Sequence, residues 1–251
     1  MVTAVALIAA LLAALFLLPR PWLALLAGAM VAGGACEWAR LCGLGSDGTW
    51  TYAASMALGF AALYNTQPWL PAFALAGVFW IAFAPLWLWC GVARGRGRLL
   101  LAAGFFVLLP AGLALVALAP LPALLVLALV WIADSAAYFV GTAWGRRKLA
   151  PAISPGKTWE GALGGTAAAL VYAIICATFT EGLLVLPCLA AALLLAVLSI
   201  VGDLFESAVK RQAGVKDSGS LLPGHGGILD RIDSATAALP VAAFLAPWIV
   251  R

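Results

Sequence analysis

The residues best suited to chemistry lie in one segment near the C-terminus, where acidic, basic and glycine residues follow one another closely. From residue 202 the chain reads Gly-Asp-Leu-Phe-Glu-Ser-Ala-Val-Lys-Arg, and from residue 216 it reads Lys-Asp-Ser-Gly-Ser-Leu-Leu-Pro-Gly-His-Gly-Gly-Ile-Leu-Asp-Arg-Ile-Asp. If the helix before this segment continues past residue 204, Asp203, Glu206 and Lys210 lie on one helical face. Asp230 and Asp233 are likewise three residues apart, so carboxylates from two helix ends could meet at one point.

Such carboxylates suit a hard cation. Mg²⁺ takes oxygen ligands, typically one or two carboxylates together with substrate phosphates and waters. Arginine suits bidentate contacts to phosphate, and lysine supplies a point charge. The cations of this segment are Lys210, Arg211, Lys216 and Arg231. The segment therefore predicts a site where Mg²⁺ and a phosphorylated substrate meet.

A second group of polar residues lies upstream. Asp134 stands in an apolar run, where an ionisable side chain costs at least about 2.5–3.5 kcal/mol to insert into a membrane, so a functional role is the first hypothesis and a structural hydrogen bond the alternative. From residue 154 the chain reads Ser-Pro-Gly-Lys-Thr-Trp-Glu-Gly. This is not a phosphate-binding P-loop, because Pro151 stands where that motif needs glycine. It is a Gly/Pro-rich loop that leads into the helix expected from residue 161, and helix N-termini favour anions.

The elements that carry these residues must be membrane helices. Of the 251 residues, 65% are hydrophobic and 10% are charged, and the mean hydropathy is +1.10. Soluble domains are about 45–50% apolar and about 25% charged, so an ordinary soluble fold is excluded. Five cysteines without CxxC spacing and a single histidine, His225, argue against a structural zinc site or a disulfide framework.

The apolar runs predict an all-α fold, a polytopic transmembrane helical bundle of about nine spans. The expected helices cover residues 2–18, 22–35, 50–64, 69–92, 99–119, 121–142, 161–180, 183–204 and 234–250. The second and third are short for a span of about 20 residues. We expect residues 1–95 to form N-terminal transmembrane helices and residues 96–251 to form the catalytic transmembrane region.

The basic residues predict the orientation. With nine spans, one side of the membrane holds 12 of the 14 lysine and arginine residues, all except Arg20 and Arg251. Because cytoplasmic loops are enriched in lysine and arginine, we expect this side to be cytoplasmic. The prediction is a multi-pass protein of a bacterial-type inner membrane, with its active site facing the cytoplasm.

The stretch from Ser207 to Asp233 reads S-x-V-K-R-x4-K-D-x-G-x2-L-P-x-H-G-G-I-x-D-R-I-D. It resembles the complete signature of the phosphatidate cytidylyltransferases, the CDP-diacylglycerol synthases. The motifs that begin at Asp134, Ser154 and Gly202 also resemble motifs of that family, in the usual order and spacing. The similarity lies in roughly the C-terminal half of the chain.

The resemblance implies a magnesium-dependent membrane enzyme that transfers CMP from CTP to phosphatidate, giving CDP-diacylglycerol and pyrophosphate for phospholipid biosynthesis. It implies metal binding by Asp203 and Asp230. The catalytic residues that we carry over are Asp203, Asp217, Asp230, Lys210, Lys216 and Arg231. The substrate-binding residues are Asp134, Ser154, Lys157, Thr158, Ser207, Arg211, His225 and Asp233. The expected partners are CTP, phosphatidate and membrane lipids, with a homodimer as a further expectation and no nucleic acid.

Two other functions remain open at this point. The chain could be a CTP-dependent transferase or kinase that acts on another membrane lipid or phosphorylated alcohol; a kinase would release CDP rather than pyrophosphate. From a different class, it could be an ion-coupled transporter in which Asp134 carries protons. A transporter predicts acids dispersed over several spans, whereas seven of the ten acids fall in or beside the motifs of the C-terminal half.

Overall fold

The computed structural model describes residues 2–91, 97–219 and 226–249 of the chain, and these ranges are almost entirely helical. The helices are α1 (Val2–Leu17), α2 (Arg20–Leu41), α3 (Ser46–Thr66), α4 (Trp69–Cys90), α5 (Gly97–Ala117), α6 (Pro120–Trp144), α7 (Trp159–Phe179), α8 (Val185–Gln212) and α9 (Leu229–Ile249). Within α4, one turn at Phe79–Phe83 is π-helical. The all-α prediction is confirmed.

Seven of the helices found in the described ranges are long and apolar enough to cross a membrane. The other two are α1, which has 16 residues, and α3, which has polar residues at both ends, Ser46 and Asp47 at its start and Asn65 and Thr66 at its end. The chain is a multi-pass membrane protein, but the expected count of nine spans is not confirmed.

Several helices extend further than the apolar runs indicate. Helix α2 has 22 residues and α3 has 21, so the short spans expected at 22–35 and 50–64 were wrongly bounded. Helix α8 continues to Gln212, and α9 begins at Leu229 rather than at residue 234. The reason is the same at both places in the C-terminal half: charged residues that interrupt an apolar run still lie on a helix, where they pair with one another.

The segment between α6 and α7 was expected as a loop and instead forms a short antiparallel hairpin. Strand β1 (Lys148–Ala150) pairs with β2 (Ser154–Thr158), with Lys148 opposite Thr158. The Thr158 side chain then caps α7 by accepting the N–H of Gly161 at 3.1 Å. The carboxylate of Glu160 accepts the backbone N–H groups of the two residues before β1, at 3.1–3.3 Å. The hairpin is therefore fixed to the first turn of α7.

Aromatic rings join the N-terminal helices to α8. The Phe205 ring is buried, with its centroid 6.3 Å from that of Trp38 in α2 and 5.7 Å from that of Trp80 in α4. The indole N–H of Trp38 donates to the carbonyl oxygen of Leu100, at 2.8 Å. The division of the chain into residues 1–95 and 96–251 stays a prediction. The core contains side chains from both parts, which pack against each other.

Glycines let the helices of the C-terminal half approach closely. A Cβ on Gly202 in α8 would lie 2.7 Å from the carbonyl oxygen of Asp233 in α9, and a Cβ on Gly165 in α7 would lie 2.5 Å from that of Ala133 in α6. Neither distance is compatible with a larger side chain unless the backbone moves. The Gly202 segment and the start of α9 therefore lie side by side, as the meeting of two groups of carboxylates requires.

Candidate active site

A cavity of about 450 Å³ opens among α6, α7, α8, α9 and the β-hairpin. Three helices each contribute one carboxyl group to its lining: Asp134 from α6, Asp203 from α8 and Asp233 from α9. The hairpin contributes three further polar side chains, Ser154, Lys157 and Thr158. The cavity thus combines acids, one ammonium group and hydroxyls, a mixture that suits a phosphorylated ligand with a cation.

The side chains of the cavity are held by one another. Lys157 and Asp203 form an ion pair in which each side chain is about a quarter exposed. The Ser207 hydroxyl donates to Asp203 Oδ1 at 3.2 Å. The Asp134 carboxyl, in the same cavity, is hydrogen-bonded to the Ser234 side chain. Because Lys157 and Asp203 keep some exposure, both can exchange this ion pair for a ligand.

Behind the cavity wall lies a buried charged network. Lys210 Nζ is 2.6 Å from Asp230 Oδ1 and 3.3 Å from Glu206 Oε1, and all three side chains are at most 11% exposed. The Glu206 carboxyl lies beside that of Asp233. The second oxygen of Asp230, Oδ2, accepts the N–H groups of Ser218 and Gly227 at 2.9 and 2.8 Å. These contacts leave Asp230 turned into the protein rather than into the cavity.

The network reaches the N-terminal half through a residue that sequence reasoning missed. Glu37 in α2 is 4% exposed, and its carboxylate accepts the hydroxyl proton of Ser218 at 2.8 Å and two backbone N–H groups near the start of α9. The sequence did contain a signal for this residue. Glu37 interrupts an apolar run, as Asp134 does, and an acid in a membrane segment is a functional candidate by default.

The structure separates the predicted site residues into groups. It brings six of them to the cavity lining: Asp134, Ser154, Lys157, Thr158, Asp203 and Asp233. Ser207 contacts Asp203 from the same helix, and Lys210 and Asp230 belong to the buried network.

The remaining predicted residues lie elsewhere. Arg211 donates from Nε to the carbonyl oxygen of Ile153 at 3.3 Å and so fastens α8 to the hairpin. Lys216 and Asp217 are exposed on the segment that follows α8. Arg231 lines a separate, largely apolar cavity of about 120 Å³. His225 falls outside the described residues.

The donor set of the cavity fits Mg²⁺. Mg²⁺ in nucleotide sites needs only one or two protein carboxylates, since substrate phosphates and water complete its shell. Asp203 and Asp233 face the same cavity and can supply them. Across the described ranges, no three acidic, cysteine or histidine side chains are close enough to hold one ion together. The pairing of Asp203 with Asp230 as metal ligands stays a prediction, and Asp233 is the acid that the structure places with Asp203.

The fold and the cavity together define a class: a multi-pass membrane protein whose polar site suits phosphate chemistry. The sequence matches the cytidylyltransferase family over residues 1–248. The chain therefore belongs to this family and is an enzyme, a nucleotidyltransferase rather than a transporter.

Individual relatives agree with the family match. A phosphatidate cytidylyltransferase of Pseudomonas aeruginosa is 46% identical over 258 residues, which cover 97% of this chain and 94% of that protein. A phosphatidate cytidylyltransferase of Haemophilus influenzae is 52% identical over 126 residues, 48% of this chain and 44% of that protein. One of Bacillus subtilis is 51% identical over 121 residues, 46% of this chain and 44% of that protein. The resemblance noted in the signature is thereby confirmed and extended to the N-terminal half.

Proposed function

We propose that this chain transfers CMP from CTP to phosphatidate, forming CDP-diacylglycerol and pyrophosphate. The observation that carries the proposal is the cavity in which Asp134, Asp203 and Asp233 face Lys157 of the hairpin. The family and the names of the relatives supply the identities of the two substrates.

The reaction needs no nucleophilic side chain. A phosphate monoester is already largely ionised at neutral pH, with a second pKa of about 6. An oxygen of the phosphatidate phosphate attacks the α-phosphorus of CTP, a new P–O bond forms, and the bond to the β-phosphate oxygen breaks. Pyrophosphate leaves with the bonding electron pair. The protein therefore has to position two polyanions and stabilise the charge that develops on the leaving group.

The hairpin and α7 are suited to holding the phosphates. Lys157 provides an ammonium group, and Ser154 provides a hydroxyl in the same cavity. The Thr158 oxygen accepts the N–H of Gly161, so its own proton stays available for a phosphate oxygen. The N-terminus of α7 begins at the next residue, and its dipole favours the same negative charge.

Asp203 and Asp233 are the residues that would hold Mg²⁺, with Asp134 as a third acid on the cavity wall. Mg²⁺ bound there supplies positive charge to the phosphate oxygens. With Asp203 holding the cation, Lys157 would be free to pair with the phosphates instead of with Asp203.

The direct test is an assay of the purified protein in detergent with labelled CTP, phosphatidate and Mg²⁺. We expect a labelled liponucleotide and one pyrophosphate for each product formed. Release of CDP with a phosphorylated lipid would identify a kinase instead, and transfer to another lipid phosphate but not to phosphatidate would identify a different acceptor. Either result would contradict the proposal.

The proposal includes a location: a bacterial inner membrane, with the cavity on the cytoplasmic side, where CTP is available. The positive-inside distribution of lysine and arginine supports it. Labelling of a cysteine introduced at exposed Lys148, from one side of sealed vesicles, tests the orientation. The homodimer and specific lipid partners stay predictions, and the mass of the purified protein–detergent particle tests the former.

A further inference from the structure

One carboxylate contacts the family signature on both sides of residues 220–225. Glu37 Oε2 accepts the hydroxyl proton of Ser218 at 2.8 Å and the N–H of Leu229 at 2.9 Å, and Oε1 accepts the N–H of Ile228 at 2.9 Å. Ser218 lies before residues 220–225, and Ile228 and Leu229 lie after them. Glu37 thus connects two segments of the signature, each of which lies more than 180 residues after it in the sequence.

The position of Glu37 has a clear electrostatic basis. The first N–H groups of a helix have no partner within the helix, and the N-terminus carries partial positive charge. Glu37, which is buried, supplies the negative charge and the acceptors at the start of α9. The Trp38 ring beside it packs on Phe205, so α2 holds this carboxylate in place.

Two signature glycines leave the space that this carboxylate occupies. A Cβ on Gly219 would lie 2.8 Å from Glu37 Oε1, and a Cβ on Gly227 would overlap both Glu37 and Ser218. Neither glycine has a positive φ in this structure. The close approach of Glu37, rather than backbone conformation, therefore explains why glycine suits both positions.

A chain of contacts leads from Glu37 to the cavity. The Ser218 hydroxyl lies 2.9 Å from Asp230 Oδ2, and Asp230 holds Lys210. Lys210 contacts Glu206, whose carboxyl lies beside that of Asp233 on the cavity wall. Because a hydroxyl has one proton, Ser218 donates to one of its two carboxylates at a time, which couples Glu37 to Asp230.

We propose that Glu37 is a positioning residue for CMP transfer, which sets the start of α9, and with it Asp233, through Ser218 and Asp230. The inference rests on the proposed function of the cavity. Glu37 does not line that cavity, so it acts through the residues that connect it to the reacting groups. Small displacements of a catalytic group reduce the rate of the chemical step more than they reduce substrate binding.

The test compares Glu37→Ala, Glu37→Gln and Ser218→Ala, with Asp47→Asn as the matched control. Asp47 is an exposed acid in the first turn of α3. We expect Glu37→Ala to lower kcat per folded molecule about 10- to 100-fold, the loss that follows removal of a buried charged acceptor, with the KM for CTP little changed. Glu37→Gln keeps one acceptor oxygen, and its loss is smaller. Asp47→Asn keeps the wild-type kcat.

A double-mutant cycle separates positioning from a general loss of stability. If Glu37 acts through Ser218, the Glu37→Ala/Ser218→Ala enzyme loses little more kcat than Glu37→Ala alone. Two losses that simply multiply, or a kcat for Glu37→Ala equal to that of the wild type, would overturn the inference.

Hydrogen exchange keeps the two proposals distinguishable. In Glu37→Ala the amides of Ile228 and Leu229 lose their acceptor, so we expect them to exchange faster than in the wild type whether or not CMP is transferred. Unchanged exchange would overturn the role of Glu37. A wild-type protein that makes no liponucleotide, but shows the faster exchange in the variant, would overturn only the proposed function.

Discussion

Lys210 Nζ lies 2.6 Å from Asp230 Oδ1, and this ion pair joins the last turns of α8 to the first turn of α9. Both side chains are almost fully buried, so neither can turn to water when its partner is lost. Glu206 shares the same ammonium group. The two halves of the family signature are therefore held together by one cation among several acids.

Removing that cation should destabilise the protein. We expect Lys210→Met to lower the free energy of unfolding by about 3–5 kcal/mol, because it leaves the Asp230 and Glu206 carboxyl groups buried without a positive partner. Thermal unfolding in detergent measures the loss. Lys148→Met, at an exposed lysine of the hairpin, is the control and should leave the Tm unchanged. Equal Tm values for the two variants would contradict the role given to Lys210.

Asp203→Asn should separate folding from catalysis. Asp203 is about a quarter exposed at the cavity, so its neutral amide fits the same space without a large cost in stability. We expect kcat to fall about 100- to 1,000-fold, as for removal of one electrostatic contact to the reacting groups. Glu181→Gln, at an exposed acid in the connection between α7 and α8, should keep full activity. An Asp203→Asn enzyme with near-normal CMP transfer would remove Asp203 from the site.

Ligand and metal dependence can be read from stability as well as from activity. A ligand at 100 times its Kd stabilises the folded state by about 2.7 kcal/mol. We expect CTP with Mg²⁺ to raise the Tm of the wild type, and chelation by EDTA to abolish both this shift and CMP transfer. In Asp203→Asn the shift should be much smaller. A shift that CTP produces equally well with EDTA present would argue against a metal in this cavity.

Gly202→Val should disrupt the packing of α8 on α9. A Cβ at this position would lie 2.7 Å from the Asp233 carbonyl oxygen, so the helices must separate or bend. Overpacking of this kind costs about 1–3 kcal/mol, and it also displaces Asp203 and Asp233. We expect a lower Tm together with loss of CMP transfer. Gly45→Ala is the matched control, because Gly45 has φ −70° and no atom within 4 Å of the added Cβ.

Thr158→Val removes an N-cap without changing the size of the side chain. The Thr158 oxygen accepts the N–H of Gly161 and is buried. We expect a loss of about 1 kcal/mol in the free energy of unfolding, and a rise in the KM for CTP because the hydroxyl also faces the cavity. Thr158→Ser keeps the oxygen and should restore most of both. Failure of serine to rescue either property would show that the methyl group, not the hydroxyl, matters there.

The sequence predicted the kinds of residue at the site better than their arrangement. Asp134, Lys157 and Asp203 were identified from chemistry and motif, and they meet in one cavity. Asp230, which was expected beside Asp203 at a metal, pairs with Lys210 in the buried network, and its role as a metal ligand stays a prediction. Glu37 was missed although it interrupts an apolar run, because its partners are distant in sequence and no local spacing connects α2 to α9.

The helix boundaries show the same limit. Apolar runs located all the helices of the described ranges, since a backbone in lipid must satisfy its own hydrogen bonds within helices. They ended α8 too early, at residue 204, and began α9 too late, at residue 234. Charged residues that interrupt an apolar run look like a loop when the sequence is read alone. The hairpin that carries Lys157 was not expected from its Gly/Pro-rich sequence.

By itself the sequence determined that this is a helical membrane enzyme with acids and cations for phosphate chemistry. The apolar composition requires a lipid environment, and the residue types determine which charges are available. Only the tertiary structure decided which acids face the substrate. Residues three apart on a helix, such as Asp203 and Glu206 or Asp230 and Asp233, differ by only about 60° around the axis. Where α8 and α9 meet at Gly202, one member of each pair, Asp203 or Asp233, faces the cavity. The other member, Glu206 or Asp230, faces the protein interior.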